Sequence, residues 1–160
     1  MTHTLPPRGQ WPHLLRAAPR ADLLEARAAA LEALQPRHLA LPQNGLALLP
    51  LKDGAFHETF NLGEIPLARV HLALTDSTGR EARGAAWVME DDMATVEALA
   101  IADALLAAHR TEAPWPQAEA FARLLALGER AIERLDAERK VILAATTVDF
   151  SLLGETDDDA

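Results

Sequence analysis

The sequence predicts an α+β fold: a small antiparallel sheet of about three to four strands flanked by Ala-rich helices, with an extended C-terminal tail. Three observations carry that expectation. The middle of the chain alternates apolar and polar residues with the period of two that a half-buried strand requires, and turn residues punctuate it. The stretches before and after it repeat Leu and Ala at helical spacing. Finally, 160 residues leave room for one core, and a chain of this size buries about 68–70% of the surface its unfolded form exposes.

Taken in order, Leu5 to Gln10 holds Pro6, Pro7 and Gly9 and reads as a loose leader. Trp11 to Ala18 reads as a short helix, with Pro12 tolerated in its first turn. Asp22 is the expected N-cap of a second helix reaching Leu34, with Leu23, Leu24, Ala28, Leu31 and Leu34 as its apolar face and Pro36 as its stop. Gly45 to Leu51 reads as a first strand, and Phe56 to Asn61 as a short second one stopped at Gly63. Ile65 to Leu74 is a stronger strand: Val70, Leu72 and Leu74 face one way, and Arg69, His71 and Ala73 the other. The turn Asp76-Ser77-Thr78-Gly79 makes a hairpin with a strand from about Ala82 to Met89.

Asp91 or Asp92 then caps a helix from about Met93 to His109. That helix is apolar almost all round, so it must be covered on more than one side. Trp115-Pro116 opens a last helix reaching Ala145, its inner face formed by Phe121, Leu124, Leu125, Gly128, Ile132 and Leu135. The apolar tail Val148-Asp149-Phe150-Ser151-Leu152-Leu153 follows. Residues 1–154 make one domain, and the acidic residues 155–160 are expected to be a disordered end.

Composition excludes several function classes. The absence of cysteine removes disulfides, thiolate nucleophiles and cysteine-based metal sites. A net charge of -9, with lysine only at Lys52 and Lys140, argues against binding nucleic acid or an anionic membrane. No apolar run near the N-terminus matches a signal peptide or a membrane span, so the cytoplasm is the expected address. Apolar residues are 49% of the chain but aromatics only 4%. A core made largely of Ala and Leu buries little area per residue, which favours further burial against partner chains.

The sequence carries few residues arranged for chemistry. Phosphate loops, HExxH and GxSxG are absent, and the only serines, Ser77 and Ser151, lie in a turn and in the tail. His57 and His71 fall in the strand region and, with Glu58 or Glu64, are the one combination from which a metal site could be built; solvated positions on a sheet are the commoner outcome. Asp103 shares a stripe with Val96, Leu99 and Leu106. Its carboxylate faces an interface or a cation, with Arg69 one possible partner, or else lies at a solvated edge. Trp87 stands beside small residues and reads first as core, secondly as an interface anchor. No catalytic residue, cofactor site or metal site is assigned.

One succession is more specific. Phe60-Asn61-Leu62-Gly63-Glu64-Ile65-Pro66-Leu67-Ala68-Arg69-Val70 leads through Leu74-Thr75-Asp76 and Gly79 to Ala86-Trp87-Val88, then to Ala98-Leu99-Ala100-Ile101-Ala102-Asp103-Ala104-Leu105, with Val148-Asp149-Phe150 near the end. In order and spacing it resembles the PhnG family, the G subunit of the bacterial carbon–phosphorus lyase core complex, from about Trp11 to Gly154. Two departures stand out. Met89-Glu90-Asp91-Asp92 replaces a usual Gly-Arg-Asp, and Thr147 and Ser151-Leu152 replace the tail's usual Arg and Phe-Thr.

The resemblance implies a non-catalytic structural subunit, binding no cofactor itself, in an assembly of G, H, I and J subunits. That assembly forms α-D-ribose 1-methylphosphonate 5-triphosphate from ATP and a phosphonate, releasing adenine, before a lyase step cleaves the carbon–phosphorus bond. The I subunit is the first expected partner, then J and H, with a homo-dimer possible for the isolated chain. The apolar helix Met93 to His109 and the tail are the expected docking elements, and Arg69, Trp87, Asp103, Val148, Asp149 and Phe150 the candidate interface residues. The alternatives are a small acidic dimeric chaperone of the secretion type and, less favoured, a free-standing metal hydrolase.

Overall fold

The computed structural model describes residues 5–111 and 115–146. After a 3-10 turn at Arg8–Gln10, the order is α1 (Trp11–Ala17), α2 (Arg20–Ala33), β1 (Gln35–Lys52), β2 (Thr59–Thr75), β3 (Glu81–Val88), α3 (Met93–Thr111) and α4 (Ala118–Ala145). The strands form one antiparallel sheet in the order β1-β2-β3. The fold is α+β, with three strands and helices rich in alanine.

The local chemistry explains most boundaries. Pro12 sits in the first turn of α1, where its missing N–H is no loss. Ala18 precedes Pro19 and is extended, which ends the helix. The second helix starts earlier than expected: Pro19 occupies the cap position, and Asp22 lies in the first turn, where its charge suits the helix dipole. Its buried stripe is also rotated from the expected one, to Leu23, Ala26, Ala30 and the following Leu34.

The expected short strands prove to be parts of longer ones. Strand β1 begins at Gln35, not Gly45, and spans 18 residues. Strand β2 does not stop at Gly63 but runs 17 residues through it. Gly63 has φ 142°, a conformation that favours glycine. It sits where β2 carries one extra residue between the pairs Leu48↔Glu64 and Pro50↔Asn61. The β2–β3 turn is held by Asp76, whose carboxylate accepts from the Thr78 N–H and hydroxyl and from the Arg80 N–H and Nε. Those bonds, the Thr78 hydroxyl foremost, keep its pKa far below the usual carboxylate range.

Helix α3 lies at the centre. Ala68, Val70, Leu72 and Leu74 of β2 and Ala82 and Ala86 of β3 are buried in the same core as its Val96, Leu99, Ile101, Leu105 and Leu106. Each fully buried Leu or Ile contributes about 1.5–3 kcal/mol. At Gly84 the strand comes so close that a Cβ would stand 2.3 Å from Ala100 O and Ala104 N. The remaining sides of α3 are covered by α1, α2 and the first half of α4, through Trp11, Leu15, Leu23, Phe121 and Leu125. The expectation that α3 offers an open docking face is thus corrected: its own chain encloses it. Trp115 is buried beneath the Arg80 guanidinium, 4.5 Å from the ring centre. No helix among the described residues is long and apolar enough to cross a membrane.

Candidate partner interface

Two elements run beyond this core. The first is a ribbon. Strand β3 pairs only with Ala68–Thr75 of β2, so Thr59–Leu67 pairs with β1 alone, over roughly 30 Å. Ala47, Leu49, Ile65 and Leu67 are half-buried on one face of this ribbon. Leu41, Leu46, Leu48, Leu51, Phe60 and Leu62 are exposed along it, and Phe56 at its tip is 82% exposed. Sequence reasoning expected strands here but not an unsupported arm. The available signal was the Leu46-Ala47-Leu48-Leu49 run, which places apolar side chains on both faces where a one-sided strand would alternate.

The second element is the distal half of α4. Phe121, Leu124, Leu125 and Gly128 are buried as expected, and Ile132 is half-buried. Leu135 is 45% exposed, and Val141, Ile142 and Leu143 are more exposed still, so the expected inner face stops serving the core partway along the helix.

Between ribbon and sheet lies a third feature. Two register shifts, between His38 and Ala40 and between Ala40 and Gln43, give β1 extra residues and kink it locally before pairing resumes at Gln43. An open depression of about 570 Å³ results, lined by residues 42–46 and by Leu67, Ala68, Arg69 and Trp87. Arg69 and Trp87 are direct cross-strand partners on the face of the sheet opposite α3. Trp87 is 70% exposed, which overturns its reading as core. Val88, its neighbour on the inner parity, packs against the core instead. Arg69 makes no ion pair among the described residues.

Asp103 does not meet Arg69. From α3 its carboxylate takes both guanidinium arms of Arg8, at 2.7 Å each, and accepts the Ala85 N–H of β3 at 3.0 Å. The bidentate pairing raises the Arg8 pKa above its ordinary value, outweighing the opposing effect of burial. Asp103 therefore ties the N-terminal leader to α3 and to the edge of the sheet. Arg8, placed in a loose leader by the sequence, gave no sign of this role. Val148, Asp149 and Phe150 lie outside the described residues.

In the segment Met89-Glu90-Asp91-Asp92, Glu90 and Asp92 bond within the chain while Met89 and Asp91 are exposed. Glu90 accepts the N–H groups of Asp91 and Asp92 and lies 3.7 Å from Arg16. Asp92 is the cap of α3: it accepts from the Ala94 N–H at 3.2 Å and the Thr95 hydroxyl at 2.5 Å, and it pairs with Arg20. The Thr95 hydroxyl first, then Arg20, pulls its pKa from 3.8 down to about 2. His57 and His71 are not brought together. His57 is in the ribbon tip with φ 58°, while His71 pairs with Ala40 and Ala85, roughly 40 Å further along β2. No group of three or more His, Asp or Glu among the described residues is placed to hold a metal ion.

Comparison with known proteins adds one finding. The family model of the phosphonate metabolism protein PhnG matches residues 6–154. No curated protein matches the chain.

Proposed function

Because the chain belongs to the PhnG family of phosphonate metabolism proteins, we propose that it serves phosphonate catabolism as a non-catalytic structural subunit of a cytoplasmic carbon–phosphorus lyase core complex. In this reading the H, I and J subunits carry the formation of α-D-ribose 1-methylphosphonate 5-triphosphate. This chain holds them in place, with the I subunit as its first partner.

The observation that carries the reading is the β1–β2 ribbon. A two-stranded ribbon is marginally stable in water unless something covers a face. This one has Leu and Phe exposed along most of its length. Large apolar side chains left exposed on an arm of this kind favour a protein interface there. The prolines at 36, 42, 50 and 66 interrupt both strands with residues that cannot donate to a ladder. They disfavour addition of another strand at the edge, so a partner is expected to meet the faces. Trp87 and Arg69 form the polar-rimmed aromatic patch beside it, and the apolar tail, with Val148, Asp149 and Phe150, supplies a further contact.

The test is co-expression of a tagged chain with the H, I and J subunits, followed by pull-down and mass determination. A stoichiometric complex is expected. Recovery of the tagged chain alone would overturn the reading.

A further inference from the structure

The apolar seam of α4 does not end where the core ends. Phe121, Leu125 and Gly128 lead into Ile132, Leu135 and Ile142, with Arg139 between the last two. The spacing alternates four and three residues throughout, which is the spacing of a helix that packs against another helix. The first part already does so. At Gly128 a Cβ would stand 1.9 Å from the Leu14 carbonyl oxygen, so α1 lies directly on the seam. But α1 has only 7 residues, whereas α4 has 28 and extends about 42 Å. Past Gly128 the seam emerges: Ile132 is half-buried and Ile142 is 62% exposed.

The charges beside the emergent seam say what fits there. Glu129, Asp136 and Glu138 occupy the positions immediately flanking it. Asp136 and Glu138 have only long, exposed contacts within the helix, to Arg139 at 3.8 Å and Arg134 at 3.9 Å, and such pairs are worth little. Glu129 has no ion pair among the described residues. A second copy of this helix would bring the same acids against them. A helix with Lys or Arg beside its apolar seam, and an acid opposite Arg139, would pair with all three acids and with that arginine.

We propose that the distal half of α4 docks an amphipathic helix of a partner subunit, whose apolar seam is flanked by basic side chains, and so continues the packing that α1 begins. The proposal rests on the subunit reading and names the element and the partner chemistry within it. The experiment is the same co-expression, with the wild-type chain, the charge-reversed variant Glu129→Lys/Asp136→Lys/Glu138→Lys, and Ile142→Ser. All these positions are exposed, so thermal unfolding of the variants alone should match the wild type. Both variants are expected to retain about tenfold less of the partner subunits. Retention by the wild type should weaken as salt rises from 0.1 to 1 M, and retention unchanged by salt would overturn the basic flanks of the partner helix. Variants that retain the partners at the wild-type level would overturn the helix assignment and leave the subunit reading intact. A wild-type chain that recovers none of the subunits would overturn both. An isolated chain that forms a dimer which Ile142→Ser disperses would replace the basic partner helix by a second copy.

Discussion

At the scale of single residues, two positions are governed by the space around them and one by its charge. Gly84 and Gly128 both face backbone: Ala100 O and Ala104 N at 2.3 Å for the first, Leu14 O at 1.9 Å for the second, measured from the Cβ each lacks. Backbone cannot rotate away as a side-chain tip can, so Gly84→Ala and Gly128→Ala should each lose about 3 kcal/mol, at the upper end of overpacking effects. Gly45, with nothing within 4 Å of its Cβ direction, is the control, and Gly45→Ala should be near neutral. Urea midpoints of the three variants check this. Asp92 is governed by charge. Its folded pKa of about 2 lies below its ordinary 3.8, so its contribution is complete above about pH 4 and is lost as the pH falls through 2. Asp92→Ala should therefore lose about 1 kcal/mol of stability at pH 7, the usual effect of removing a cap, and much less at pH 2. Denaturant titrations at the two pH values decide it. This cap was legible to within one residue, as Asp91 or Asp92, whereas the same reasoning placed the cap of α2 at Asp22, which lies in the first turn instead. The Arg8–Asp103 clamp was not, since nothing in the spacing of residues 95 apart announces a pairing.

At the scale of elements, the ribbon and the core sheet share strands but differ in support. Leu72 and Leu74 lie under α3 with neighbours on both sides, while Leu46, Leu48 and Phe60 have only the opposite strand. Amide exchange follows local opening, and opening is easiest where few apolar contacts must break. In the isolated chain, the amides of Thr59–Leu67 should therefore exchange at least tenfold faster than those of Val70–Leu74, and mass spectrometry of peptic fragments reports both. Equal protection across β2 would show that the ribbon is held by something other than its pairing. The helices were largely legible because Ala, Leu and proline stops set their limits independently of distant contacts. The strands were read as fragments because Pro36, Pro42, Gly45, Pro50 and Gly63 are local breakers. Tertiary pairing overrides them here: Pro42 and Gly63 fall at register shifts, while Pro36, Gly45 and Pro50 are held in register by the opposite strand. The same limitation hid the true exposure of Trp87. Its alternation with Ala86 and Val88 was visible, but which of the two faces met α3 depended on Gly84, whose missing side chain admits the helix.

At the scale of the whole molecule, charge and apolar surface act against each other. The chain carries -9 at pH 7, with a pI near 5.0, and mutual repulsion keeps like-charged molecules apart. The ribbon and distal α4 meanwhile expose Leu, Ile and Phe that would be buried if molecules met. Near pH 5 the repulsion vanishes and the apolar faces remain. The isolated chain should therefore show a maximum in light scattering near its pI. It should also associate at pH 7 in 1 M salt, where screening shrinks the range of repulsion to about 3 Å. The triple variant Leu41→Ser/Leu46→Ser/Leu48→Ser changes only exposed side chains, so its unfolding temperature should stay close to wild type while both effects diminish. A variant that scatters as strongly as the wild type would locate the adhesive surface elsewhere, with Trp87 and the end of α4 next to be changed. In the assembled state the prediction reverses in sign. Partners that cover the ribbon remove the adhesive surface whatever the pH, so a complex recovered by co-expression should stay dispersed through pH 5 under conditions that aggregate this chain alone.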